Sequence, residues 1–375
     1  MRLALSEMRR AKLRFGLLTG AVALLVFLII FQQTLAAALL GFFTGGLEHQ
    51  SAEVLVYNRD ARRNVEGSVI LPGQLEAVAA VEGVGTAAPL GENTFTVRAA
   101  GELQDAVIFG YELGGPGAPM RLVDGRMPRG DGEAVASSVD ADNGFGLGEV
   151  VEVVPGGYEV TVVGLAEDSR FAVLPTLFAS FATFEEAIFA ANPDARAVPA
   201  SLIAVDPAPG VDAAELAARI TEEVPGVEAL DRQTAVESLP GVSSIRSSFS
   251  VVLGLAFIVV VLVTGFFFLI LTVQKTQALT LLRAVGASGG YLIGNLALQV
   301  VLVTTVGVAL AAGMLALAAA GSSEDFPIEA EPGLIVTTAG AVLALALLAS
   351  LASVRRVTRI DPATATTRPA GGGLA

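Results

Sequence analysis

The chain has 375 residues, 53% of them hydrophobic and 16% charged, with a formal net charge of −14 and a mean hydropathy of +0.66. Soluble domains carry about a quarter charged residues, so part of this chain belongs in lipid. No cysteine is present, which excludes disulfides, metal thiolates and a cysteine nucleophile, and one histidine, His49, cannot build a His-based triad or a His-ligated metal site.

Residues 1–14 place Arg2, Arg9, Arg10, Lys12 and Arg14 against a single acid, Glu7, and read as a basic amphipathic helix on the cytoplasmic side. The apolar run 15–43, centred on 15–40, exceeds the roughly 20 residues a transmembrane helix needs. Its basic flank and small residues at 36–38 also fit a signal peptide. However, the apolar run resumes through 39–43, longer than a usual signal region, and a retained helix is expected.

Residues 44–246 have ordinary polarity and enough length for one or two folded subdomains. They hold 12 basic and 31 acidic residues, a net of −19. "SAEVLVYN" (51–58) reads as a strand, 72–84 as a short helix and 88–100 as a second strand. The same order returns with a strand at 201–207, a helix at 211–224 carrying Leu216, Ile220 and Val224 on one face, and a strand at 226–231. Two split β-α-β units sharing one sheet give a ferredoxin-like sandwich. The expected organisation is therefore one subdomain from 51–115 and 200–232, with 116–199 inserted as a β-rich unit. Within the insert, "GEVVEVV" and "YEVTVVGL" flank Pro155, Gly156 and Gly157 as a hairpin. Residues 233–247 form a stalk, continuous or kinked at Pro240.

Three further apolar runs follow, at 247–273, 291–320 and 333–354. The loop 274–290 holds Lys275 and Arg283 and no acid, and the tail 355–375 holds Arg355, Arg356, Arg359 and Arg368 against Asp361. Loop 321–332 holds instead Glu324, Asp325, Glu329 and Glu331. Lysine and arginine collect in cytoplasmic loops, so both termini and 274–290 are expected inside, and 44–246 and 321–332 outside. The acidic outer block would repel nucleic acid and anionic lipid.

Catalytic patterns fail one by one. "DADNG" (140–144) begins like a calcium loop, but Gly144, Phe145 and Val151 fall where oxygen ligands and the turn glycine belong. "GFGLGE" (144–149) lacks the strand-to-helix context of a phosphate loop. The two lysines, Lys12 and Lys275, lie outside any G-x-x-x-x-G-K-[ST] run, so the chain is not itself an ATPase. Spans two to four offer only Ser, Thr, Asn295 and Gln299 as polar groups, which supports no ion path, while "GVALAAG" (307–313) permits close helix packing.

Four pieces, "LALSEMRRAKLR" (3–14), "VDGRMPRGDGEAVASSVDADNGFGLGEVVEVVPGGYEVTVVGL" (123–165), "KTQALTLLRAVGAS" (275–288) and "IDPATA" (360–365), together with the one-plus-three arrangement of spans, resemble ABC transporter permeases of the MacB/FtsX (DevC-like) family, of the type without a fused ATPase domain. The resemblance implies a MacB-like α-helical membrane protein with four transmembrane helices plus a large α+β extracytoplasmic domain, a ferredoxin-like porter subdomain with a β-rich insert. It implies that 274–290 is a coupling helix docking on a nucleotide-binding subunit through Lys275, Leu279, Leu281, Leu282, Arg283, Ala284, Val285, Gly286 and Ala287. Leu281, Leu282 and Val285 suit a groove, Arg283 an acid on the ATPase, and Gly286 the helix end. The usual E-R-T-R-E before the leucines is replaced by Gln274, Lys275, Thr276, Gln277 and Ala278, so particular salt bridges differ.

The family further implies a subunit with no catalytic residues or cofactor of its own. ATP and Mg would be bound by two copies of a separate ATPase, and a second permease chain would complete a homodimer in the bacterial plasma membrane, in contact with its lipid. An extracytoplasmic adaptor or hydrolase is a further candidate partner, and no nucleic acid is expected. The expected function is export or extrusion driven by movement of the outer domain. The alternatives are an FtsX-like mechanotransmitter switching a cell-wall hydrolase without transport, and a membrane-anchored sensor without an ATPase.

Overall fold

The computed structural model describes residues 11–274, 289–321 and 332–358, divided between a membrane unit (1–36 with 248–375) and an outer unit, Ala37–Ser247. In chain order the elements are α1 (Lys12–Glu48), β1 (Val54–Asn58), α2 (Gln74–Ala79), β2 (Val84–Ala99), β3 (Glu102–Tyr111), β4 (Leu122–Gly125), β5 (Glu133–Ser137), β6 (Val150–Val154), β7 (Tyr158–Ala166), β8 (Thr176–Ser180), α3 (Phe181–Ala191), β9 (Leu202–Pro207), α4 (Ala213–Glu223), β10 (Val227–Asp231), α5 (Arg232–Ser238), α6 (Val242–Gln274), α7 (Gly289–Ala320) and α8 (Pro332–Thr358).

The outer unit is built on one sheet in the order β10-β1-β9-β2-β3-β8-β5-β7-β4, with β6 pairing both β2 and β7. Its first four strands are antiparallel and come from β1-α2-β2 and β9-α4-β10, the ferredoxin-like order of two interleaved β-α-β units. Local chemistry sets the helix ends: Asp212 accepts hydrogen bonds from Ala214 N (3.0 Å) and Glu215 N (3.1 Å) to cap α4, and Asp231 accepts from Thr234 N (3.0 Å) to cap α5. On α4, Leu216 and Ile220 are fully buried and join Val54, Val56, Val78, Ile203 and Val205 in the layer between helices and sheet. The opposite face, carrying Leu55, Tyr57, Leu202 and Ala204, packs with Leu47 of α1 and with Ala235 and Val236 of α5.

The other strands close a ring. Pairing runs β2–β3, β3–β8, β8–β5, β5–β7, β7–β6 and β6–β2, so six strands form a small barrel. Alternate residues from all six, among them Phe95, Val97, Ile108, Ala134, Val151, Val160 and Leu177, fill one interior cluster, as barrel closure requires. Ser180 caps α3, accepting from Thr183 N at 3.0 Å, and Phe184 of α3 lies over Gly91 and Gly110, which face each other across β2 and β3. A Cβ at either glycine would overlap that ring.

One boundary differs from the sequence reading. The barrel recruits β3 and the second half of β2, upstream of residue 116, because β2 is 16 residues long and its two halves serve different sheets: 84–90 pair with β9, and 90–99 with β3. The stalk is interrupted at Pro240, one of the two forms expected. α5 stops before Leu239, held extended (ψ 135) as a residue before proline is. Gly241 (φ +96) then supplies a left-handed turn before α6 begins. The 155–157 hairpin forms as expected, with Val153 opposite Tyr158.

In the membrane unit, four helices among the described residues are long and apolar enough to cross a membrane. Phe15, Leu18, Val22, Val26 and Ile29 of α1 pack with Val260 of α6, Val300 and Val303 of α7, and Val342 and Ala346 of α8. The small-residue run on α7 is used as expected: at Gly307 an added Cβ would stand 2.9 Å from Val22 Cγ1, so α7 approaches α1 closely at that point.

Candidate coupling site

The residues expected to dock an ATPase, Lys275, Leu279, Leu281, Leu282, Arg283, Ala284, Val285, Gly286 and Ala287, lie outside the described residues. Their flanks do not. Arg14 Nη1, in the first turn of α1, donates to Gln274 Oε1 at 2.6 Å, tying the basic start of span one to the last described residue before the loop. Toward the other ends of the spans, Gln32 Nε2 donates to the Phe249 carbonyl (3.3 Å) and Thr338 Oγ1 donates to Gln33 Oε1 (2.8 Å). The start of α1 meets the end of α6, and the last part of its span meets the beginnings of α6 and α8, as antiparallel crossings demand. In hydrocarbon an unpaired amide costs several kcal/mol, and these two bonds let Gln32 and Gln33 be tolerated in an apolar run.

The outer unit carries charged groups in structural roles. Asp140, from the calcium-like "DADNG", is fully buried and accepts two hydrogen bonds from the Arg170 guanidinium, so it is an ion-pair partner. Among the described residues no group of three or more His, Cys, Asp or Glu could hold a metal ion. Glu133 accepts bonds from Arg126 Nη1 and Nη2 (2.7 and 2.6 Å) and from Arg129 N (2.8 Å), which hold its carboxyl at about 2. Glu92 is the opposite case. Its side chain is buried with Oε2 unpartnered, and burial, reinforced by Glu66, pushes its pKa up to about 7. His49 Nδ1–H donates to the Asp168 carbonyl at 2.9 Å, within the outer unit.

Sequence reasoning missed Arg14–Gln274, Gln33–Thr338 and Arg170–Asp140. The separations are 260, 305 and 30 residues, and no spacing rule links partners that far apart.

Comparison with known proteins decides the family. The MacB-like periplasmic core domain matches residues 15–223, more than half of the chain, and the FtsX-like permease C-terminal domain matches residues 250–362. The chain belongs to the MacB/FtsX family of ABC transporter permeases. An uncharacterized ABC transporter permease of Mycobacterium tuberculosis H37Rv is 28% identical over 329 residues, covering 85% of each chain. One of Mycobacterium bovis is 29% identical over 296 residues, covering 78% of this chain and 77% of the relative. HrtB of Staphylococcus haemolyticus, assigned to a hemin transport system, is 20% identical over 363 residues, covering 96% and 98%. Among solved structures, the extracellular domain of the noncanonical ABC-type transporter YknZ from Gram-positive bacteria aligns with a TM-score of 0.35 at 15% identity, covering 48% of this chain and 100% of that one. The periplasmic region of MacB from Actinobacillus actinomycetemcomitans aligns at 0.37 and 12%, covering 50% and 92%. Membership of this permease family implies a partner ATPase.

Proposed function

We propose that this permease couples ATP hydrolysis on a separate ATPase subunit to movement of its acidic outer domain, and thereby exports or extrudes a substrate. The observation that carries the reading is the succession of the two family matches on one chain. A MacB-like core spans 15–223, and an FtsX-like permease region spans 250–362 and encloses the cationic loop 274–290. The MacB-like outer core favours transport over the FtsX-like regulation of an outer hydrolase.

In this reading Leu281, Leu282 and Val285 seat in a groove of the ATPase, Arg283 pairs with an acid there, and Gly286 ends the coupling helix. Lys275, Leu279, Ala284 and Ala287 complete the surface. Arg14, bonded to Gln274, holds the base of that loop against α1. Two permease chains with two ATPases form the assembly, both termini and 274–290 face the cytoplasm, and the outer unit faces away from it. Val251, Leu255, Ile258, Leu262, Phe266 and Ile270 of α6 are exposed in the single chain and would be covered by lipid or by the second permease.

The test is co-purification with the ATPase. Leu282→Asp and Arg283→Glu are each expected to abolish association while membrane insertion and expression persist. Undiminished association of both variants would refute the docking assignment.

A further inference from the structure

The loop between β7 and β8, residues 167–175, lies along the end of α1 and is bonded to it residue by residue. Val173 N donates to the Phe42 carbonyl (2.9 Å), Ala172 N to the Phe43 carbonyl (3.1 Å), and Gly46 N to the Arg170 carbonyl (2.9 Å), while His49 adds its bond to the Asp168 carbonyl. Adjacent glycines make the approach feasible. A Cβ at Gly45 would overlap the Asp168 carbonyl, and one at Gly46 would stand 2.9 Å from Phe171 Cβ and 3.2 Å from the Ser169 carbonyl.

The loop is held in a costly shape. Asp168 (φ 47), Ala172 (φ 52) and Val173 (φ 63) are three of the six non-glycine residues with left-handed backbone among the described residues. Such conformations persist only where surrounding contacts over-determine them. Those contacts are present. The Arg170 guanidinium, 4.7 Å from the centre of the Phe42 ring, is paired with fully buried Asp140 in the 3-10 turn after β5. Phe171 packs edge-on against Phe109 of β3 (5.2 Å), and its N donates to Thr176 Oγ1 (2.8 Å) at the start of β8. Asp140, Phe109 and Thr176 of the barrel thus hold the loop, and the loop backbone holds the end of α1.

We propose that residues 167–175 are a closed clasp by which the six-stranded barrel grips the end of α1, with Gly45 and Gly46 as the seat and the Arg170–Asp140 pair as the pin. The barrel thereby moves with α1 throughout the transport cycle instead of following it only through chain connections. That last step rests on the ATP-driven reading above; the clasp itself does not.

Two measurements on the full chain in lipid nanodiscs test it. In hydrogen exchange, the amides of Gly46, Ala172 and Val173 are expected to be protected in the wild type. Asp140→Asn is expected to speed all three by roughly tenfold or more while Ala204 in β9 keeps its rate. Exchange at the open-loop rate in the wild type overturns the clasp, and an unchanged rate in Asp140→Asn overturns the pin. The second measurement leaves the Arg170–Asp140 pair intact. The chain has no native cysteine, so Phe43→Cys with Ala172→Cys is expected to form one disulfide on mild oxidation, and the locked permease with its ATPase to keep its nucleotide turnover. Failure to crosslink overturns the clasp. Loss of turnover that reductant restores shows that the clasp opens in the cycle and overturns the claim that it stays closed. If no ATPase associates with the wild type, the functional reading fails, and exchange and crosslinking still decide the clasp.

Discussion

Glu92 makes the outer domain pH-sensitive in a direction unusual for a carboxylate. It lies opposite Phe109 in the β2–β3 ladder, its backbone is fixed by Ser201 (Glu92 N to Ser201 Oγ, 3.0 Å; Ser201 Oγ to Glu92 O, 3.2 Å), and its side chain is 6% exposed. Burial, then Glu66, raises its pKa from 4.5 to about 7. Between those values the folded chain holds a proton that the unfolded chain has released. The contribution to stability is therefore complete below pH 4.5, declines as pH rises, and is lost above pH 7. At about 1.4 kcal/mol per unit the total is about 3 kcal/mol. For a domain of this size that corresponds to a Tm fall of about 6–12 °C. Calorimetry of the full chain and of Glu92→Gln, compared at each pH so that other carboxylates cancel, is expected to show Gln gaining on the wild type by that amount between pH 4.5 and 7.5. The added amide donors of Gln shift the offset but not its pH dependence. A difference that stays flat across this window would refute the assignment of a buried, proton-holding Glu92.

Other residues give separate tests. Phe184→Ala should cost about 3–5 kcal/mol in chemical denaturation. Gly91→Ala should cost about 1–3 kcal/mol, because the new methyl meets the Phe184 ring at Cε1 and Cζ, and Phe184→Leu, which lacks those atoms, should recover part of that second loss. Gln33→Leu, which removes the bond to Thr338, should weaken helix association in lipid by only about 0.6 kcal/mol, and a loss several times larger would show that the pair anchors more than one contact. Arg126→Gln should raise the pKa of Glu133 from about 2 toward its ordinary value without restoring it, because Arg129 N still donates to the carboxylate; the shift is read from the carboxyl carbon by NMR, with little change in stability because both side chains are solvent-accessible.

Much of the architecture is written in local pattern. The apolar runs that become α1, α6, α7 and α8 announce themselves by length, since lipid tolerates no shorter or more charged helix. The β-α-β units show in the change of period from two to 3.6, with Leu216, Ile220 and Val224 placed correctly on the buried face of α4 and just beyond its end. The helix that carries the first span runs beyond the apolar run 15–43. α1 continues to Glu48, where "TGGLE" is held by loop 167–175 and by Leu47 in the core. The docking loop was legible only through family resemblance, since Lys275 and Arg283 by themselves obey a charge rule that any cytoplasmic loop satisfies.

The amino-acid sequence by itself determined which segments enter lipid, which block stays in water, and where the two helix-containing units of the outer sheet begin. Each of these follows from the side chains of residues within a few positions of one another. Tertiary structure alone decided that β6 closes a barrel against β2 and β7, that Asp140 pairs with Arg170, and that α1 is held at Gly45 and Gly46. Those outcomes depend on strand register and on partners tens to hundreds of residues distant, where the free energy of a contact is set by everything else that brings its two halves together.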